Sequence, residues 1–427
     1  MHNFDITIEN LSKIEGHTDL DVKVRKGKVE YVQLKVSENK RFYTQAIRGK
    51  PAIGAPQLMC RICGTCSIAH LLCCIQAVEN ALGIKPTEQT ILLRKLAMYG
   101  LYIRDHALHL YMFSLPDVLE KDSILEFDEK NEKEHKLLHQ CFDVKAAGNA
   151  LSTLIAGKPV HPPYPAVGGF TQIPDPKETK EVIKKLEHIR QDVIELIEIF
   201  VPEKFNFTSE TEYVCMTSPD FNFYTGDHIC TGKYTCVPWQ KYGEHLVHKV
   251  IPYSQASGYK FEGQTYLVGA LSRVNMNEGY LHKKTRQTAK KALDIFPSKN
   301  IYHNNLAQAI EILHSIDASV EILKKTKFKK EPIQPPKTTG TGVGVVEAPR
   351  GTLYYLVEVG KDGKVTHADI VVPTGQNQIN IEQDIKALIE ANLKLPKNKM
   401  QFEIEKLVRA YDPCMSCAAH FLKINWK

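Results

Sequence analysis

Two short stretches near opposite ends of the chain constrain its fold more than anything else in it. The first is Arg61-Ile62-Cys63-Gly64-Thr65-Cys66-Ser67-Ile68-Ala69-His70, and the second is Asp412-Pro413-Cys414-Met415-Ser416-Cys417-Ala418-Ala419-His420. Each is a C-x-x-C with a histidine shortly after it. Two residues between cysteines let both sulfurs reach one metal, so each stretch is half of a four-thiolate site. Soft thiolates select zinc, copper(I), iron–sulfur clusters or nickel over magnesium and calcium. Zinc ribbons hold their pairs about fifteen to twenty residues apart, whereas 347 residues lie between Cys66 and Cys414. Spacing alone leaves a structural zinc site and a catalytic metal both open. In either case only a folded core can bring the two stretches together.

The hydrophobic pattern changes period along the chain. Residues 4–36 alternate as strands do, through Ile6, Ile8, Leu20, Val22, Val24, Val29, Val32, Leu34 and Val36, with a turn signal at Lys26-Gly27. This predicts a small sheet that presents Glu15 on a connecting loop. From Thr87 to Phe113 apolar residues recur at helical spacing. Further helices are expected near 130–157, 177–200, 284–296, 303–326 and 381–393, broken by proline-containing loops at 159–165 and 331–336. Residues 201–275 are aromatic and mixed, with strand-like runs at 213–216 and 265–268. Alternation returns from Gly351 to Val372 around a Lys361-Asp362-Gly363 turn.

The expected class is therefore α+β and predominantly helical. Long central helices would stand between small β-sheets at the N-terminus and in the C-terminal half, with the metal site between the two C-x-x-C stretches. The expected organisation is one intertwined domain over 1–427. It comprises an N-terminal sheet region at 1–50, a helical core at 51–200, a mixed α/β insert at 201–275, and helices, a small sheet and the C-terminal metal motif at 276–427. The helices near 87–113 and 130–157 are the expected scaffold for the cysteines, because a site on rigid elements is better positioned than one on loops.

Composition excludes several classes. The net charge of +6 is mild and spread along the chain, so nothing asks for nucleic acid. The basic run from Lys324 to Lys330 reads as a solvated helix end. No apolar run reaches the roughly eighteen residues of a spanning helix. No basic-then-apolar leader and no twin arginine precede the sheet, so no transmembrane segment and no export signal are expected. Eleven cysteines, an odd number, do not read as a disulfide framework, and a reducing cytoplasm is the expected location. Cys60, Cys73, Cys74 and Cys141 read as small apolar residues, and the spacing of Cys230 and Cys236 says little. Without a C-x-x-C-x-x-C run the chain is expected to carry no iron–sulfur cluster.

The flanks of the cysteines narrow the choice. R-x-C-G-x-C-x-x-x-H and D-P-C-x-x-C-x-x-H together resemble the paired signatures of the large subunit of nickel–iron hydrogenases. Ile14-Glu15-Gly16-His17 resembles that family's I-E-G-H, Asp105-His106-Ala107-Leu108-His109 its D-H-x-x-H, and His161-Pro162 with Gly168-Gly169-Phe170 its H-P…G-G-F. Ala348-Pro349-Arg350-Gly351 resembles its A-P-R-G, and Val372-Pro373-Thr374 its V-P-T. The matches run from position 14 to position 420.

The resemblance implies a catalytic subunit that splits hydrogen reversibly and heterolytically at a nickel–iron centre. Cys63 and Cys414 would be terminal nickel ligands. Cys66 and Cys417 would bridge nickel to an iron carrying cyanide and carbon monoxide. Glu15 falls where the family keeps the carboxylate that carries the proton away from a terminal thiolate. Arg350 can hydrogen-bond a cyanide and hold charge over the metals, with Asp105 and Asp412 beside it. Thr374, after Pro373, would bond the other cyanide. His70, one turn beyond Cys66, can reach back to a ligand sulfur or to backbone. His17, His106, His109 and His161 read as core histidines. The implied partners are an iron–sulfur small subunit that takes the electrons, and maturation factors that insert nickel. Such large subunits can cross a membrane bound to a signal-bearing partner.

Three departures from the pattern matter. Thr44 stands where an acidic ligand of a third, remote metal (magnesium or iron) is expected, leaving the Ile370 carbonyl, the His420 ring and waters. That site is expected to be empty, weak or rearranged. Tyr355 stands where the arginine motif usually continues to a histidine. The tail Phe421–Lys427 is short, and is expected to be a permanent terminus packed near the C-terminal site rather than a removable peptide. Three rival readings stand beside the hydrogenase one. The first is a relative of the quinone-site subunit of respiratory complex I, which lacks the four cysteines. The others are a hydrogen sensor with the same site and a zinc-stapled scaffold.

Overall fold

The computed structural model describes residues 3–38, 42–202, 204–233 and 235–419. Strands Phe4–Ile8, Thr18–Arg25 and Lys28–Val36 form an antiparallel meander. Its buried face carries Ile6, Ile8, Leu20, Val22, Val24, Leu34 and Val36. Lys26 and Gly27 both take positive φ, the geometry that matches a tight hairpin to the strand twist. The loop 9–17 between the first two strands carries Glu15, as the alternation predicts.

The helical body consists of Ser67–Ala81, Glu88–Ala107, Glu132–Ala156, Pro176–Phe200 and His303–Lys325. Local sequence sets their ends. Thr87 accepts the Thr90 N–H, Asn131 accepts the Lys133 and Glu134 N–H groups, and Asp175 does the same for Lys177 and Glu178. Gly157, at φ +88°, ends the helix Glu132–Ala156 in the left-handed region. The helix Glu88–Ala107 continues into a π-helical stretch, Leu108–Ser114, a widened turn that often marks a functional segment. Residues 303–319 are buried on every side, so His303–Lys325 is the central helix.

The expected helix near 284–296 is two short ones, Lys283–Thr288 and Lys290–Leu293. The helix expected at 381–393 begins earlier, at Pro373, and runs to Ala391. Proline at its first position needs no N–H there. Two helices, Ser67–Ala81 and Lys397–Ala410, and the strand Thr341–Ala348 are additional to the expected elements.

The scaffold of the first cysteine stretch differs from the expected one. Cys66 caps the helix Ser67–Ala81, which lies on the hairpin Thr341–Ala348 and Gly351–Val359. Contact is so close that a Cβ on Gly342 would lie 2.1 Å from the Ala77 carbonyl, and one on Gly344 2.2 Å from the Cys73 carbonyl. Strand Val365–Val371 completes this second three-stranded sheet.

Between residues 201 and 275 the chain forms a four-stranded sheet in the order Tyr266–Leu267, Glu212–Thr217, His228–Thr231, Cys236–Pro238, and a separate hairpin, Leu246–Val250 with Ser257–Phe261. A Cys230–Cys236 disulfide crosses the first of these sheets, a pairing the sequence spacing did not indicate. One buried apolar cluster draws on Ile6, Ile75, Leu101, Ile310, Val357 and Leu407, and so reaches from the first strand to the last long helix. Among the described residues no helix is long and apolar enough to cross a membrane.

Candidate metal centre

Cys63 follows a short helical turn in extended backbone, and Cys66 sits at the start of the helix Ser67–Ala81. Cys414 leads into the single turn Met415–Ala418. The chain reaches Cys414 through Asp412, whose φ of 50° reverses its course after the helix Lys397–Ala410. The central helix fixes this reversal, because Asn304 Nδ2 donates to the Ala410 carbonyl at 2.9 Å and Gln308 Nε2 to Asp412 Oδ2 at 2.9 Å.

The two stretches meet at their sulfurs. Cys63 Sγ lies 3.5 Å from Cys414 Sγ, Cys66 Sγ 3.2 Å from Cys417 Sγ, and Cys414 Sγ 2.9 Å from Cys417 Sγ. All four ligand atoms lie within 4.8 Å of one another, and all four residues are buried. Bonds of about 2.3 Å, as zinc makes to thiolate, reach a common ion from such positions. Burial drives the Cys414 and Cys417 thiols well above their ordinary range. Hydrogen bonds from Cys414, Cys417 and Cys66 hold Cys63 well below it. Thiols this close and this buried resist ionising together. A soft divalent cation relieves that repulsion and keeps the sulfurs deprotonated, so the donor set fits nickel or zinc rather than a hard ion.

The remaining groups close around the sulfurs. Glu15 Oε2 lies 2.9 Å from Cys414 Sγ and accepts the Ser416 N–H at 3.2 Å, while the Glu15 carbonyl accepts the Met415 N–H at 2.8 Å. Burial raises the Glu15 carboxyl above its usual range, and negative charge on Cys63 adds to the effect. Gly16 is required beside it: its φ is +84°, and a Cβ would lie 2.9 Å from the Ser416 nitrogen. Arg350 Nη1 donates to Asp105 Oδ2 at 2.7 Å, and its Nη2 lies 3.0 Å from Asp412 Oδ1. Burial works against the Arg350 charge, but the two aspartates outweigh it and keep the guanidinium protonated. Thr374 Oγ1 accepts the Cys414 N–H at 2.9 Å, which leaves its own O–H to donate. Cys66, Arg350, Pro373, Thr374, Cys414 and Cys417 line one small cavity. His70 Nε2 stands 3.5 Å from Cys417 Sγ.

The model of the nickel-dependent hydrogenase family matches residues 41–141 and 216–420. The chain belongs to this family. It is 30% identical to the alpha chain of sulfhydrogenase 1 of Pyrococcus furiosus over 98% of both chains. It is 28% identical to one chain of the F420-non-reducing hydrogenase of Methanothermobacter marburgensis, over 97% of this chain and 94% of that one. Among solved structures, one chain of an NAD+-reducing NiFe-hydrogenase in the H2-reduced state superposes with a TM-score of 0.87 at 24% identity, covering 98% of this chain and 99% of that one. The reduced Ni-Fe-Se hydrogenase of Desulfovibrio vulgaris Hildenborough gives 0.79 at 22% identity, covering 98% of this chain and all of that one. The fold is that of hydrogenase large subunits.

Within this hydrogenase fold the residues singled out in the sequence converge: Glu15, Cys63, Cys66, His70, Asp105, Arg350, Pro373, Thr374, Asp412, Cys414 and Cys417 surround one centre. Ile370 lies on the strand Val365–Val371, paired in register with Tyr355. Thr44 lies in the helix Tyr43–Ile47. His420 and the tail that follows lie outside the described residues. His106 and His109 are buried as expected of core histidines, and His161 is half-buried, but His17 is exposed.

Four supporting residues have roles that the sequence motifs do not reveal. Arg104 Nη2 donates to the Thr65 carbonyl, between the first two cysteines, at 2.6 Å. Its place directly before Asp105 is the one signal that points to it. His109 Nδ1 meets Gln308 Oε1 at 2.6 Å and so steadies the partner of Asp412. Arg273 bonds Glu311 and Glu347 and donates to the Ala348 and Pro349 carbonyls at 3.2 and 2.9 Å. It thereby clamps the loop that carries Arg350. Nothing in the local sequence of Gln308 or Arg273 marks them.

Proposed function

We propose that this chain is the catalytic subunit of a nickel–iron hydrogenase, and that it works as one intertwined unit over 1–427. In this reading Cys63, Cys66, Cys414 and Cys417 would hold a nickel–iron centre whose iron carries cyanide and carbon monoxide. That centre, when bound, supplies the reversible heterolytic cleavage of H2. The chain's own residues handle the proton and hold the centre. A proton taken up by Cys414 Sγ passes to Glu15 Oε2 over the 2.9 Å that separate them, and the raised proton affinity of the half-buried carboxyl suits it to receive one. Arg350, fixed by Asp105 and Asp412, keeps a positive charge at the cavity wall in a water-poor setting, where it counts most. The Thr374 hydroxyl and the Arg350 fork are donors for the two cyanides.

Electrons leave through an iron–sulfur small subunit, because this sequence has no cluster motif of its own. Maturation factors insert the nickel. Nine free cysteines among the described residues, against the single Cys230–Cys236 disulfide, favour a reducing cytoplasm. A third-site magnesium or iron is absent, weakly held or bound through a rearranged network, because Thr44 offers no carboxylate.

The observation that carries this reading is the Glu15 carboxylate set on a sulfur of a buried four-cysteine cluster. Its test is the complex purified from a host able to mature it. About one nickel and one active-site iron per chain, beyond the iron of the small subunit's clusters, with hydrogen-dependent reduction of a dye, are expected. Stoichiometric zinc without nickel would overturn the reading.

A further inference from the structure

His70 stands between the metal cluster and a second buried group. Its Nε2 lies 3.5 Å from Cys417 Sγ, and its Nδ1 lies 2.8 Å from the Tyr355 hydroxyl. His70 is 1% exposed and Tyr355 is fully buried, so neither contact is shared with bulk water. The ring of Tyr355 meets that of His70 edge-on, with centroids 6.0 Å apart. Helix Ser67–Ala81 carries the histidine and strand Gly351–Val359 carries the tyrosine. The tight packing at Gly342 and Gly344 holds the two elements together.

In the metal-loaded centre the Cys417 thiolate, unlike Cys414 during turnover, carries no proton to give. The contact to Cys417 must then be one in which the ring N–H donates. A neutral imidazole has a single N–H, and which nitrogen bears it is set by what the other nitrogen meets. With the proton on Nε2, Nδ1 presents a lone pair and needs a donor. The Tyr355 O–H is in place to donate. Burial, with Cys74 and Cys73 nearby, pushes this phenol well above its ordinary range, so it keeps its proton. The result is a directed chain: Tyr355 O–H to Nδ1, then Nε2–H to the sulfur of Cys417.

We propose that Tyr355 is a positioning residue that, through His70, sets how much electron density Cys417 shares with the metals. The inference rests on the reading of the centre given above. Hydrogen bonds in a chain polarise one another, and a bond donated to a ligand sulfur draws charge away from the metal and tunes its potential.

Infrared spectra of the metal-loaded complex test it, through the stretching bands of the iron-bound carbon monoxide and cyanide. Tyr355→Phe removes the donor, frees the ring to place its proton on Nδ1, and leaves more density on the sulfur. The carbon monoxide band is expected at lower wavenumber than in the wild type, with nickel and iron content unchanged. 3-Fluorotyrosine placed at position 355 alone is a stronger donor of nearly the same shape, and is expected to move the band to higher wavenumber. Opposite shifts are not what a merely space-filling side chain would give. If the phenylalanine variant fails to take up metal, the fluorotyrosine protein decides by itself. Wild-type bands with an unmoved fluorotyrosine band would overturn the role of Tyr355. A wild-type complex with no such bands would instead overturn the reading of the centre.

Discussion

Glu15 Oε2 meets a cysteine sulfur at 2.9 Å and a backbone N–H at 3.2 Å. Glutamine keeps that shape and one acceptor oxygen but has no site for the travelling proton. Glu15→Gln is therefore expected to load both metals normally and to lose about 10²- to 10⁴-fold in hydrogen oxidation, the usual range for a positioned acid–base group. Unchanged turnover would remove Glu15 from the mechanism. A second carboxylate makes a stability prediction. Asp384, on the helix Pro373–Ala391, accepts the Tyr411 O–H one residue before Asp412, and burial raises its carboxyl to about 6. The folded chain thus holds this proton more tightly than the unfolded chain. Its contribution to stability is complete below about pH 4 and is lost as pH rises through about 6. Asp384→Asn is expected to stabilise the protein at pH 7 by up to about 3 kcal/mol, with the gain vanishing near pH 4 in denaturant titrations. An equal gain at both pH values would contradict this account.

At the scale of elements, the cluster depends on the contact between helix Ser67–Ala81 and strand Thr341–Ala348. A Cβ at Gly344 would meet the Cys73 carbonyl at 2.2 Å and the Ala77 nitrogen at 2.8 Å. Gly344→Ala must push the strand off the helix, and overpacking of this kind costs about 1–3 kcal/mol or more. Lower stability together with lower metal content is expected, and a variant that matches the wild type in both would show the contact to be looser than these distances require.

This same helix shows why part of the fold is not legible in the sequence. Only Gln76 and Asn80 escape burial in Ser67–Ala81, so it has no polar face and hence no helical period to detect. The meander over 4–36 and the helices near 87–113, 130–157 and 177–200 each keep one polar face or clear caps, and these are readable. The cysteine pairs are readable because a short spacing carries their chemistry, and Glu15 and Arg350 are readable only through the resemblance of their motifs to the family's. Gln308 and Arg273 are not, because they act only on partners that folding brings to them.

At the scale of the molecule, residues from both ends of the chain close one centre: Glu15 from the first loop, Cys63 from the extended backbone ahead of the helix Ser67–Ala81, and Cys414 after the last long helix. Such a site, with Cys66 and not Cys63 at the helix start, needs the whole fold to exist, and on this account it needs a second protein chain to discharge electrons. The isolated chain is expected to be inactive with an artificial dye and the complex active, so activity from the chain alone would refute the need for the partner. The most direct test of the centre itself is nickel K-edge X-ray absorption on the matured complex. The account predicts nickel bound chiefly by sulfur with an iron scatterer close by, and loss of that signal in Cys66→Ser and Cys417→Ser. Nickel bound only by nitrogen and oxygen, or a site filled by zinc alone, would contradict it.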